Sequence, residues 1–476
     1  MRTGLPVLAC ILLLASCDRD AAVPSAARNA IAGAKQSAGG AFGFVTYELG
    51  AAPGTVCPGS PDCTNGAAEP MIRADATGTF YASSELGLSS GTLAWKSTDG
   101  GLHYTALQSP NQISQAAGGL APGGGDTDLG VATAPNANGI PNVYVASLSL
   151  ANVTVSTSGD GGKTWRENLL SATIPGDDRE WIAAEGAAKV CISYHDIVTF
   201  NIDVNCSYDA GATFTQLGSA IDAAHLFLLE DNSTGNLVID PNNHVVYQVF
   251  SGIATVPEAL VPTAFHAVWI GVSQDGGRTF TDHAVYVNPD ASVSYGHQFI
   301  NASVDRAGTV YVLYNDNHNL FYSFSSDQGQ TWTGPIRINQ SPSATAIMPW
   351  SVACDPGQLN VVWYGTSYYD GTNPPDNYPA SAAWYVYFAQ NRAASTVGSA
   401  FKQVAATPII HFGGVCEGGI SCTGNRDLYD DFGVAVDPIS GFASIVFSDD
   451  QPGNDGRSDH TAIATQTAGR GICTAH

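Results

Sequence analysis

Ser158-Gly159-Asp160-Gly161-Gly162-Lys163-Thr164-Trp165 is the passage on which the fold turns, because the chain repeats it. Ser207-Tyr208-Asp209-Ala210-Gly211-Ala212-Thr213-Phe214, Ser273-Gln274-Asp275-Gly276-Gly277-Arg278-Thr279-Phe280 and Ser325-Ser326-Asp327-Gln328-Gly329-Gln330-Thr331-Trp332 follow the same S-x-D-x-G-x-T-[WF] pattern. Ser97-Thr98-Asp99-Gly100-Gly101 opens the series and is degenerate at its end, Leu102-His103-Tyr104. Such a string describes a tight hairpin turn. The aspartate accepts backbone N–H groups within its own turn, glycine takes the positive-φ position, and the aromatic folds back beneath as an apolar plug. Repetition along the chain marks a blade-by-blade architecture, with Asp99, Asp160, Asp209, Asp275 and Asp327 in structural roles.

Outward from these turns lies a second recurring element, an apolar strand, a small-residue turn and another apolar strand. It starts at Glu69-Pro70-Met71-Ile72, Asp128-Leu129-Gly130-Val131, Glu180-Trp181-Ile182-Ala183 and Asn236-Leu237-Val238-Ile239. It starts again at Phe299-Ile300-Asn301-Ala302, Pro349-Trp350-Ser351-Val352 and Phe432-Gly433-Val434-Ala435. Period-two alternation with β-branched and aromatic residues marks strands, and residues 41–470 contain no amphipathic helix of useful length. The units predict an all-β chain forming a single β-propeller of about seven four-stranded blades, six being the alternative count. The sixth unit lacks a clear repeat turn and offers Tyr385-Val386-Tyr387-Phe388-Ala389 as its outer strand. The segment Phe42-Gly43-Phe44-Val45-Thr46-Tyr47 supplies the strand missing from the seventh, closing the ring and hiding two open sheet edges.

The repeated turn resembles the Asp-box of the sialidase-like (BNR-repeat) β-propeller superfamily. That resemblance implies turns at the blade periphery and a ligand site on the central face. Sialidases have six blades, so seven would be a departure. They also carry an Arg-Ile-Pro motif on the first inner strand, whose arginine grips the substrate carboxylate. With that proline on Pro70 and the following turn glycine on Gly78, the arginine position falls on Ala68. Arg179, Arg278, Arg306, Arg337, Arg392 and Arg426 show no context for a three-arginine cluster, so true sialidase activity is not expected.

In a propeller the residue just before each innermost strand opens onto one face around the axis. This register nominates Glu69, Asp126, Asp128, Asp178, Arg179, Glu180, His297, Gln298, Trp350, Arg426, Asp427, Asp430 and Asp431. Convergent polar groups beside an aromatic platform suit a sugar or another small polar ligand. Arg179, Glu180, His297, Trp350 and Arg426 are the ligand-binding candidates. A glycoside hydrolase is the alternative, with Glu69 or Asp128 set against Asp430 or Asp431 as acid and base. The competing reading is solvated loop ends and buried ion pairs, Arg179 with Asp178 or Glu180. A protein-interaction scaffold is a further alternative, so a protein partner stays open. Nucleophile elbows, phosphate-binding glycine loops and HExxH motifs are all missing. No cofactor is expected; calcium at Asp449, Asp450, Asp455 and Asp459 is the alternative to a solvated acidic loop.

The ends and the composition place the chain. Met1-Arg2 and the apolar run Leu5 to Ala15 form a signal peptide over residues 1–16, too short to span a membrane. Leu14-Ala15-Ser16-Cys17 resembles a bacterial lipobox, which implies a lipid on Cys17, a flexible tether over 17–40 and an extracytoplasmic cell-envelope location. The membrane is then met only through the anchor. Beyond the signal and lipobox, eight cysteines fit an oxidising compartment. Cys57 with Cys63 and Cys416 with Cys422 bracket short loops. Cys191 and Cys206 would face each other across a hairpin turning near Val198-Thr199, and Cys354 and Cys473 remain as the fourth pair. No CxxC pair supports zinc. A formal charge of −24 argues against nucleic acid as a partner.

Overall fold

The computed structural model describes residues 41–111, 123–149, 152–172, 174, 177–450 and 460–474. The expected signal peptide over residues 1–16, Cys17 with the tether expected over 17–40, Asp455 and Asp459 lie outside the described residues.

Seven antiparallel sheets stand around one axis. Their innermost strands are Ala68–Ala74, Thr127–Pro135, Asp177–Glu185, Asn232–Ile239, Asn301–Val304, Thr345–Ala353 and Gly433–Val436. Each meets the next and the last meets the first, so the ring is closed. The seven-blade count therefore holds, one more than the sialidase pattern. Apart from four short 3-10 turns, the described residues contain no helix. The second and third strands of each blade are covered on both sides by neighbouring blades, which is why Val310–Asn315 and Ala443–Asp449 are buried along their whole length.

Blade seven is closed across the chain ends. Gly43–Glu48 pairs antiparallel with His460–Ala468 as its outermost strand, the closure expected from Phe42 to Tyr47. Blade six differs from the expectation. Tyr385 to Phe388 belong to the third strand, Ala383–Asn391, and the outer strand is Lys402–Ala405. The insertion at 370–383 lies between the second and third strands, so counting inward from the blade's end misplaces this one. Short edge pieces add a fifth strand to two blades, Val56–Cys57 in the first and His411–Phe412 in the sixth.

The five repeated turns link third to fourth strands, at the end of the blades opposite the start of the innermost strands. Asp160 Oδ1 accepts the N–H groups of Lys163 (3.1 Å) and Thr164 (2.9 Å), and its Oδ2 accepts from Thr164 Oγ1 (2.6 Å). Ser158 Oγ donates to the same carboxylate at 2.8 Å. Asp209, Asp275 and Asp327 repeat the arrangement. In the degenerate first copy His103 Nδ1 stands 2.7 Å from Asp99 Oδ2, in place of the missing threonine hydroxyl. Glycine is required at the crowded turn position: Gly162 has φ +86°, and a Cβ there would lie 2.5 Å from Leu107. Disulfides join Cys57–Cys63, Cys191–Cys206, Cys354–Cys473 and Cys416–Cys422. Cys191 and Cys206 are directly opposed strand partners.

Candidate functional site

The innermost strands all run the same way, so their N-terminal ends converge on one face, here called the mouth. Four of them reach it through a β-bulge, three with a side-chain-bearing residue at the bulge. Register slips between Ala68 and Met71, between Asp178 and Glu180, and between Ile347 and Trp350. The bulged residues Glu69, Arg179 and Met348 sit at φ +50°, +51° and +50°, a conformation costly for side-chain-bearing residues and held by the surrounding ring. In blade four Gly235 occupies the corresponding bulge, where a Cβ would lie 2.2 Å from the Ile300 carbonyl oxygen. The bulges re-aim Glu69 and Arg179 toward each other across the axis.

Arg179 is the centre of the mouth. Its Nη1 lies 3.4 Å from Glu69 Oε2 and 3.2 Å from Asp126 Oδ2, and its Nη2 donates to Asp431 Oδ2. These are not the partners Asp178 and Glu180 that its neighbours in sequence suggested. Arg426 is the second cation, and its Nη2 reaches Glu69 Oε1 at 2.9 Å and Asp430 Oδ2 at 2.6 Å. Glu69 thus bridges both arginines while exposing only 1% of its surface. Below, the guanidinium of Arg179 packs over Trp181 and Phe299, at 4.5 and 4.3 Å from their ring centres.

Two nominated residues lie deeper than the mouth. Trp350 does not stand as a platform on the face; it is buried against Trp181, with ring centres 5.3 Å apart. Asp128 accepts from Arg73 Nη2 (2.8 Å) and from the Ile182 N–H (2.9 Å), tying blades one, two and three together. Arg73 and Trp350 border a separate cavity of about 330 Å³ that opens along the axis on the opposite face, lined also by Asn236, Ser303 and Ser351.

Carboxylates outnumber cations in the mouth, and their protonation follows from that excess. Burial, then the charges of Asp126 and Asp430, hold Glu69 well above the usual carboxylate range, with Arg179 pulling only partly against them. Burial acts against the charge of Asp126 as well, but Arg179 and a hydrogen bond from Glu69 outweigh it and keep Asp126 low. The two therefore diverge, Glu69 held toward its neutral form and Asp126 toward the carboxylate. Asp431 is pushed up to about 7 by burial despite Arg179. Burial raises Asp128 and Asp178, and raises Glu180 far more.

Two mouth residues escaped the sequence reading. Glu85 ends the second strand of blade one, the end that returns to the same face, and burial followed by Asp126 raises it to about 8. Glu417 sits in the five-residue loop closed by Cys416–Cys422, with Oε2 3.7 Å from His297 Nδ1. Applying the ring register to second strands would have found Glu85. The only cue to Glu417 was its place beside a cysteine of a tight loop. His297 is pushed down to about 4 by burial and stays neutral.

Neither acidic group with metal-like spacing lies at the centre of this network. One is Asp222, His225 and Asp282; the other is His411, Asp427 and Asp450. In the second, His411 Nδ1 is 2.7 Å from Asp450 Oδ2 and Nε2 is 3.2 Å from the Gly414 carbonyl oxygen. Both ring nitrogens are thus engaged, which places Asp450, a calcium candidate, in an ion pair with His411.

No protein-family model matches the chain, and no curated protein matches it. Among solved structures, it is similar to a protein of unknown function from Dyadobacter fermentans (13% identity, TM-score 0.48, 89% of this chain and 99% of that one). It is similar also to an α-L-arabinofuranosidase of Fusarium graminearum in complex with arabinobiose (14%, 0.44, 67% and 93%). A xyloglucanase from Xanthomonas campestris is a third (13%, 0.49, 88% and 55%). These likenesses are weak, and the seven-bladed fold rests on this chain's own strand pairing.

Proposed function

We propose that the mouth binds a carbohydrate or another polar ligand, without true sialidase activity. One observation carries this reading: buried polar atoms of the mouth lack partners among the described residues. They are Nε of Arg179 and of Arg426, Oδ1 of Asp430 and of Asp431, and both carboxyl oxygens of Glu417. Unpaired buried donors and acceptors cost free energy unless something completes them. Sugar hydroxyls both donate and accept, which suits arginine N–H groups interleaved with carboxyl oxygens. A sialic acid would instead bring a carboxylate to two arginines whose Nη groups are already engaged by Glu69, Asp126, Asp430 and Asp431.

A second reading is glycoside hydrolysis. Glu69 and Asp430 accept from the same nitrogen of Arg426, at 2.9 and 2.6 Å, so their oxygens sit closer together than the gap an inverting pair keeps for water. The test is a glycan-array screen of the soluble domain, with reducing-sugar release assayed on every hit. Binding without release supports a lectin-like protein. Release abolished by Glu69→Gln supports the hydrolase. Silence in both contradicts a glycan ligand and favours a protein partner, for which exposed Val256, Leu260 and Val261 offer apolar contact.

We propose further that Cys17 is lipidated and anchors the domain outside the cytoplasm. Four disulfides suit that compartment. Among the described residues no helix is long and apolar enough to cross a membrane. Cys17→Ser should move the protein from the membrane to the soluble fraction; unchanged membrane recovery would contradict the anchor.

A further inference from the structure

We infer that the ligand of the mouth carries a positive charge: an amine-bearing glycan whose ammonium group sits against Glu417 and Asp430. The inference rests on the ligand-binding reading above and narrows its substrate class.

Two observations point the same way. The first is the charge balance. Glu69, Glu85, Asp126, Asp178, Glu417, Asp430 and Asp431 influence one another across this face, and among the described residues only Arg179 and Arg426 stand with them. The second is Glu417 itself. Its side chain is only 7% exposed, yet neither oxygen has a hydrogen-bond partner among the described residues. The nearest basic group is the neutral imidazole of His297, 3.7 Å away. Asp430 is the charged neighbour of Glu417; one of its oxygens is held by Arg426 and the other, Oδ1, is also unpartnered.

Burial, then the Asp430 charge, push Glu417 up to about 8. His297, influenced in turn by Asp316, supplies no compensating cation. A buried acid without a counter-charge is expensive. An ammonium placed between Glu417 and Asp430 would supply that charge, donate to oxygens that now lack donors, and draw Glu417 into its ionised form. A neutral sugar satisfies the hydrogen bonds but brings no charge that would let Glu417 ionise, and an acidic sugar adds one more acid to a face already rich in them. The Cys416–Cys422 bridge holds Glu417 in a short closed loop, so the carboxyl is held in place before the ligand arrives.

The experiment titrates the wild-type soluble domain with glucosamine, galactosamine and mannosamine oligosaccharides, each beside its N-acetylated counterpart, at mildly acidic pH where the amines are charged. At least one amine-bearing oligosaccharide should bind roughly tenfold more tightly than its acetylated partner, the scale of a charge-assisted hydrogen bond. Binding should also release protons, seen as a dependence of the heat on the buffer's ionisation enthalpy. Glu417→Gln should erase the preference for the amine, whereas Asp160→Ala, in a repeated turn at the other end of the blades, should keep it; a preference that survives in folded Glu417→Gln would overturn the assignment to Glu417. Equal or tighter binding of the acetylated forms, or binding confined to other neutral or acidic glycans, would overturn the inference and leave the ligand-binding reading standing. Binding of no glycan of any class would overturn both.

Discussion

Aspartate does opposite work at the two ends of the blades. In the repeated turns Asp209, Asp275 and Asp327 stand near solvent with backbone and hydroxyl donors around them, and those donors hold them down to about 2. At Asp275 burial is the largest single influence and acts upward, yet the donors together outweigh it. In the mouth, carboxyls are buried among like charges, and burial raises Asp431 to about 7 and Glu85 and Glu417 to about 8. The difference teaches where to look for function. A carboxylate whose every oxygen is satisfied by its own turn is architecture, whereas a buried carboxyl in excess of its counter-charges is kept for something else.

The largest way to break this contrast is Arg179→Met. It leaves Glu69, Asp126 and Asp431 facing each other in a buried site, and about 3–5 kcal/mol of unfolding free energy should be lost in urea titrations. A change within experimental error would show that the network is not held by its arginine.

Acid and base should then pull stability in opposite directions. An acid whose pKa is higher folded than unfolded binds more protons when folded, so the mouth favours the fold below about pH 4 and loses that contribution as pH climbs through 7 to 8. The turn aspartates contribute above their unfolded value near 3.8 and lose it as pH falls toward 2. Urea midpoints should therefore fall between mildly acidic and mildly alkaline pH, by the equivalent of on the order of 2 kcal/mol. The slope should flatten in Asp431→Asn but persist in Asp160→Ala. A midpoint that rises over this range would contradict the protonation pattern of the mouth.

Asp160→Ala removes the acceptor of two backbone N–H groups and two hydroxyls, and should cost about 1–2 kcal/mol. Ligand binding at the mouth should be unchanged; its selective loss would undo the separation of the two regions. The smallest effect is expected from His103→Thr, which restores the repeat consensus in the first turn. His103 Nδ1 already meets Asp99 Oδ2 at 2.7 Å, so the thermal midpoint should move by no more than about 0.5 kcal/mol would move it.

Much of the fold was legible because it is local. Turn chemistry lies within eight consecutive residues, all seven innermost strands start within a few residues of the units read from sequence, and Cys191 and Cys206 flank a single hairpin. The ring register likewise brought Glu69, Asp126, Arg179, Arg426, Asp430 and Asp431 to one place. What it could not supply was depth and partnership. Arg179 meets Asp431 from 252 positions away, and Arg426 meets Glu69 across 357; nothing in local spacing distinguishes those partners from the adjacent Asp178 and Glu180. Trp350 is no surface platform, because register gives position around the axis, whereas burial is set by Trp181 and Arg73 from other blades. The third strand of blade six eludes the repeat because an insertion displaces it.

The most direct test of the account is one glycan-array comparison of the wild-type soluble domain with Arg426→Gln and Asp160→Ala, each checked for folding by its thermal midpoint. The account predicts that wild type and Asp160→Ala bind the same glycans, while folded Arg426→Gln loses at least about tenfold in affinity for them. Glycan binding that survives in Arg426→Gln and disappears in a folded Asp160→Ala would place the ligand at the repeated turns and contradict the assignment of the mouth.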